Sequence, residues 1–130
     1  MKMLPIAMLL GLLTPAAAAD VSGVWDLEMR WPGDRQSTGV CTFEQDDRKL
    51  SGTCGGTDRF TITGEVDDRR VTWQFDVEQD GNRGRMTFTG TVAAGDKTIA
   101  GSCRIEGGQN GSFTMHKREE RRTLSVSRSR

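Results

Sequence analysis

Gly23-Val24-Trp25-Asp26-Leu27-Glu28-Met29-Arg30-Trp31 decides how the rest of the chain is read. Trp25, Leu27, Met29 and Trp31 fall on one side of an extended chain, with Val21 and Gly23 continuing that side. Asp26, Glu28 and Arg30 fall on the other. A period of two is the mark of a strand with one buried and one wet face. A helix would scatter the same residues around its axis.

The same alternation recurs along the chain. Pro32-Gly33-Asp34-Arg35, Asp46-Asp47-Arg48, Gly55-Gly56-Thr57, Asp67-Asp68, Asp80-Gly81-Asn82, Ala94-Gly95-Asp96 and Gly107-Gly108-Gln109-Asn110 read as turns. They leave eight short segments. The later inward sets are Gly39, Cys41, Phe43; Leu50, Gly52, Cys54; Phe60, Ile62, Gly64, Val66; Val71, Trp73, Phe75, Val77; Met86, Phe88, Gly90, Val92; Ile99, Gly101, Cys103, Ile105; and Gly111, Phe113, Met115. All three Trp and five Phe are inward. A slip of one residue would turn this core out into water, so register is specified. Short hairpins between successive segments predict an all-β fold, an eight-stranded antiparallel up-and-down meander closed into a barrel. Seven inward glycines (Gly23, Gly39, Gly52, Gly64, Gly90, Gly101, Gly111) let strands coil for closure or leave room for a ligand.

The flanks differ. Lys2, the apolar run Met3–Leu13, the break at Thr14-Pro15 and the small residues Ala16–Ala19 read as a signal peptide over residues 1–19, cut before Asp20. No Cys follows that site to carry a lipid. The expected barrel domain spans 20–118 and a disordered basic tail spans 119–130. From Lys117 to Arg130 there are six basic and two acidic residues, against eleven basic and sixteen acidic between Asp20 and His116. Leu124 and Val126 are the only aliphatic residues after Met115, too few to offset the entropy of ordering that segment. The tail reads as solvated, with weak attachment to anionic lipid or glycan as the alternative. The export address predicts a periplasmic or secreted protein, monomeric and without stable membrane insertion.

Here the chain resembles a known group. Gly23-Val24-Trp25 is similar to the Gly-x-Trp signature of the calycin barrels: lipocalins, fatty-acid-binding proteins and avidins. Lys49-Leu50-Ser51-Gly52-Thr53 and Phe88-Thr89-Gly90-Thr91-Val92 resemble segments of small exported bacterial β-barrels of unassigned function. The resemblance implies that a basic residue at the end of the last strand packs across Trp25 at a closed end. Lys117 has the right parity, and Arg118 is the second choice. That end holds both termini and the turns at Asp47, Asp68 and Gly95. The turns at Gly33, Gly56, Gly81 and Gly108 then frame the mouth, with Trp31, Cys54, Phe60, Val77, Met86, Ile105 and Phe113 around or just inside it.

Pairing Phe43 with Gly52 and Gln45 with Leu50 keeps inward faces together and sets Cys41 opposite Cys54. Opposed β-carbons lie about 4.5–5.5 Å apart, close to disulfide geometry, and an exported chain meets an oxidising compartment. A Cys41–Cys54 disulfide is therefore expected. Cys103 is left as a small buried hydrophobe, with a link to Cys41 or to a second chain as alternatives. Three Cys and one His lack metal-ligand spacing, so neither a metal nor a cofactor is expected.

Catalytic groups are sparse. His116 is outward, with no nucleophile motif beside it. Asp26 with Glu28 and Asp76 with Glu78 are outward pairs without a cleft to shift their pKa values. The expectation is a non-enzyme. Inward aromatics leave no stacking platform for single-stranded nucleic acid. Biotin-like recognition lacks its polar inward groups. The remaining candidate site is the apolar interior: Met29, Trp31, Phe43, Phe60, Phe75, Met86, Phe88, Ile105 and Phe113. The expected function is non-catalytic binding of a small hydrophobic, acyl-chain-like molecule there. The alternative is a protein-interaction or inhibitor module whose barrel is filled by its own side chains. Eight aromatics favour filling and seven glycines favour a cavity, which leaves both open.

Overall fold

A computed structural model describes residues 18–79 and 81–119. Most of the expected signal peptide and of the tail lies outside these residues. The described chain forms β1 (Gly23–Trp31), β2 (Arg35–Asp46), β3 (Lys49–Gly55), β4 (Arg59–Asp67), β5 (Arg70–Gln79), β6 (Asn82–Val92), β7 (Thr98–Ile105) and β8 (Asn110–Lys117). Each strand pairs antiparallel with the next, and β8 returns to β1, so the sheet closes as a barrel in chain order. The expected eight-stranded meander is what forms.

The register follows the inward sets. Cys41 faces Cys54, Phe43 faces Gly52 and Gln45 faces Leu50. Asp47 and Asp68 take the first position of their hairpin loops with φ of 63° and 60°. Aspartate tolerates that left-handed conformation better than bulky residues do. The repeated Asp-Asp-Arg turn is thus a sequence answer to a backbone demand.

The inner face is packed. Trp25, Phe43, Ile62, Val66, Val71, Trp73, Phe88, Val92, Ile99 and Met115 are at most 1% exposed. Trp73 stands at the centre. Phe88 stacks flat on it at 4.8 Å, while Phe43 and Phe113 meet it edge to face at 5.1 and 5.4 Å. Phe75 continues the stack from Phe88, and Phe60 continues it from Phe75 at 4.9 Å. The Trp73 indole N–H has no oxygen or nitrogen partner among the described residues and is enclosed by these rings.

Three of the inward glycines make room for aromatic residues. Gly64 is paired with Trp73, and a Cβ on Gly64 would lie 2.8 Å from both Cα and Cβ of Trp73. A Cβ on Gly90 would lie 2.8 Å from the Phe113 ring, and one on Gly111 2.8 Å from the Trp31 ring. Glycine and aromatic are therefore complementary halves of one packing solution, and the space that glycine frees is filled across the strand.

This makes a sharp expectation. Gly64→Ala places its methyl 2.1 Å from the Thr72 carbonyl oxygen, and backbone cannot step aside. Overpacking of that kind costs about 1–3 kcal/mol. Gly56→Ala, where the nearest atom is 3.6 Å away, is expected to stay within about 0.5 kcal/mol of the parent. Urea unfolding of the two variants side by side measures the contrast.

Candidate binding surface at the open end

The two ends of the barrel are built differently. At one end the chain before β1 folds across the opening. The Trp25 indole N–H donates to the Val21 carbonyl at 2.9 Å, the Val21 N–H donates to Gln45 Oε1 at 2.8 Å, and the Ala19 N–H donates to the Asp68 carbonyl at 2.9 Å. Val21 is fully buried by this arrangement. Lys117 pairs with Trp25 in the β1–β8 ladder and sets Nζ 5.8 Å from the ring centroid, a cation–π contact. A Cβ on Gly23 would lie 2.9 Å from the Lys117 Cε, so glycine there lets the lysine lie down. Arg118, the second choice for that role, instead donates to Asp26 at 2.7 Å.

The Arg118 guanidinium holds the Asp26 carboxyl below its usual range. That contribution is present at neutral pH and fades as pH falls through the carboxylate range. Both side chains are about half exposed, so it is small.

The other end has no such plug among the described residues. Met29, Trp31, Phe60, Val77 and Ile105 pack against the core yet stay partly exposed. Phe75 and Met86, at 9% and 8% exposure, lie just beneath them. The Trp31 indole N–H donates to the Ser37 hydroxyl at 3.0 Å, and Arg35 donates to Gln109 at 2.6 Å, tying the first and last turns of this end together.

The nine residues expected to line an interior site thus divide by depth. Phe43, Phe88 and Phe113 belong to the packed centre and touch other rings rather than open space. Met29, Trp31, Phe60 and Ile105 are brought together at the rim, with Phe75 and Met86 as their floor. Of the expected mouth set, Cys54 and Phe113 are 1% and 3% exposed and lie inside rather than on the rim.

The seam between β4 and β5 was not legible in the alternation. Its ladder ends at Thr63↔Gln74, although β4 begins at Arg59 and β5 runs on to Gln79. A cleft of about 630 Å³ lies at this end of β5, with Phe60, Val77 and Gly84 as its walls and Asp76, Glu78, Arg83, Arg85 and Glu106 around them, so that it reaches across β6 to the turn after β7. Asp76 pairs with Arg85 at 3.1 Å.

Reactive chemistry is thin among the described residues. Among the described residues no group of three His, Cys, Asp or Glu is placed to hold a metal. No helix among them is long and apolar enough to cross a membrane. His116 is exposed on the outer face, as expected. Cys41 and Cys54 are joined as a disulfide, and Cys103 is free and buried. Burial pushes the Cys103 thiol up to about 11, which removes its nucleophilic form at physiological pH. The chain matches no protein-family model and no curated protein.

These cysteines give a direct check. At pH 8 the folded protein is expected to resist iodoacetamide, and unfolding without reductant exposes a single reactive thiol, Cys103. Two further thiols in the unfolded, unreduced protein would mean that Cys41 and Cys54 are not linked.

Proposed function

We propose that this protein is an exported, non-catalytic binding module of calycin-like build that works through the apolar rim at its open end. The observation that carries this reading is the packing of the centre. Trp73, Phe88, Phe43 and Phe113 occupy the space that a deep acyl-chain site would need. Exposed apolar surface is then concentrated where Met29, Trp31, Phe60, Val77 and Ile105 meet solvent. Apolar side chains gathered at one end and edged by charge are the usual composition of a protein contact. The barrel supplies rigidity, and the plugged end with Lys117 over Trp25 supports the calycin-like assignment. The Cys41–Cys54 bond is consistent with an oxidising compartment outside the cytoplasm.

A second reading keeps the small hydrophobic molecule but moves it. The floor of Phe75 and Met86 beneath the rim offers a shallow seat for the end of an acyl or prenyl chain. Such a seat covers part of a ligand only, so binding there would be weak and poorly selective.

Photo-crosslinking separates the two. A crosslinking side chain at Trp31 or Phe60 is expected to give discrete protein adducts in the producing cell, and one at exposed Ser102 on the barrel wall is expected to give none. Equal adducts from all three positions, or none from the rim together with a small molecule released on unfolding, would reject the rim as a protein-binding surface.

A further inference from the structure

β5 carries an unused edge. On one side it stays paired with β6 out to Gln79↔Asn82, while on the other its ladder with β4 stops at Gln74. Which main-chain groups are left over follows from register. The Val92 N–H donates to the Arg69 carbonyl, so odd-numbered residues along β5 bond to β6 and even-numbered ones face β4. Beyond Gln74 those are Asp76 and Glu78. Their N–H and C=O groups point into the seam, next to the partly exposed Phe60 and Val77. An open edge of this kind is a template for an added strand.

The side chains around the edge set the chemistry of that strand. Residues placed inward would lie against Val77 and Phe60, and those placed outward would lie beside Glu78 and beside Asp76, which Arg85 already pairs. The fitting segment is extended, has two apolar residues two positions apart, carries small polar residues between them and bears positive charge. Arg121-Arg122-Thr123-Leu124-Ser125-Val126-Ser127-Arg128 has this pattern. Its charge also opposes that of the barrel, where sixteen acidic residues outnumber eleven basic ones between Asp20 and His116.

We propose that residues 121–128 of one copy add as a strand to the β5 edge of a second copy, at Asp76–Glu78. The proposal rests on the open end being the binding surface, and it names the occupant. A chain cannot serve its own edge. β8 ends at Lys117 at the plugged end, and the five residues from Glu119 to Leu124 span at most about 18 Å. The six steps along β5 from Arg70 at that end to Asp76 already cover about 20 Å, and β8 lies three strands from β5, about 14 Å further sideways. Donor and acceptor surfaces are different patches, so the contact is head to tail and extends into short chains of copies.

Sedimentation velocity of the full chain, from micromolar to millimolar concentration, tests this. The parent is expected to associate as concentration rises. The double variant Leu124→Asp, Val126→Asp loses donor function and stays monomeric. Glu78→Pro removes an N–H that faces the seam rather than β6, leaves the β5–β6 ladder intact and also stays monomeric. Circular dichroism matching the parent confirms that Glu78→Pro is folded. Each variant keeps the half that the other lacks, so an equimolar mixture forms a one-to-one dimer and nothing larger. A parent that is monomeric throughout, or association undiminished in either variant, overturns the proposal. Rim crosslinks that persist in the Leu124, Val126 variant leave the open end standing as a binding surface while removing the tail as its occupant.

Discussion

Trp73 and the glycines that make room for aromatic rings are the constraint on which the barrel depends. An eight-stranded barrel has an interior just wide enough to be filled by side chains, and three Trp with five Phe on the inward faces exceed what uniformly medium-sized neighbours could admit. Glycine on facing or diagonal positions resolves the conflict. Gly64 lies under Trp73, Gly90 against Phe113, and Gly111 against Trp31. Trp73 and Phe113 then meet edge to face at 5.4 Å without pushing strands apart. The same glycines ease the coiling that closure demands, so one residue choice serves packing and topology together.

That central stack also separates the two ends into different surfaces. Toward β1's beginning, Val21, Trp25, Gln45 and Lys117 lock into a plug of hydrogen bonds and one cation–π contact. Toward the other end the stack runs out through Phe75 to Phe60 and leaves apolar rings in contact with water. Water tolerates scattered apolar groups on any protein, and here the partly exposed Met29, Trp31, Phe60, Val77 and Ile105 lie at one end. The seam adds to the asymmetry, because β5 stays paired with β6 out to Gln79 while its pairing with β4 stops at Gln74.

Among the described residues the packed interior holds no buried polar or charged side chain. Cys103 is held protonated by burial, and Asp76, which shares the cleft at the open end with Glu78 and Glu106, is paired with Arg85. The disulfide ties β2 to β3 beneath the rim.

The sequence by itself determined the topology, the inward and outward faces, the pairing of Cys41 with Cys54 and the parity of Lys117 with Trp25. It could do so because a period of two and the placement of Gly and Asp in turns are local properties, and because a one-residue slip would have exposed the whole core. Whether the interior was open or filled was not local. It depended on which glycine met which ring across the sheet, and the alternation carries no information about distance between non-adjacent strands. The split of the nine expected lining residues into centre and rim, the switch of Arg118 to Asp26, and the loss of pairing between β4 and β5 beyond Gln74 were likewise decided only in three dimensions. Each arises where strand twist, strand length and side-chain volume must be satisfied at once around a closed sheet, and closure is a condition on the whole chain that no single segment can express.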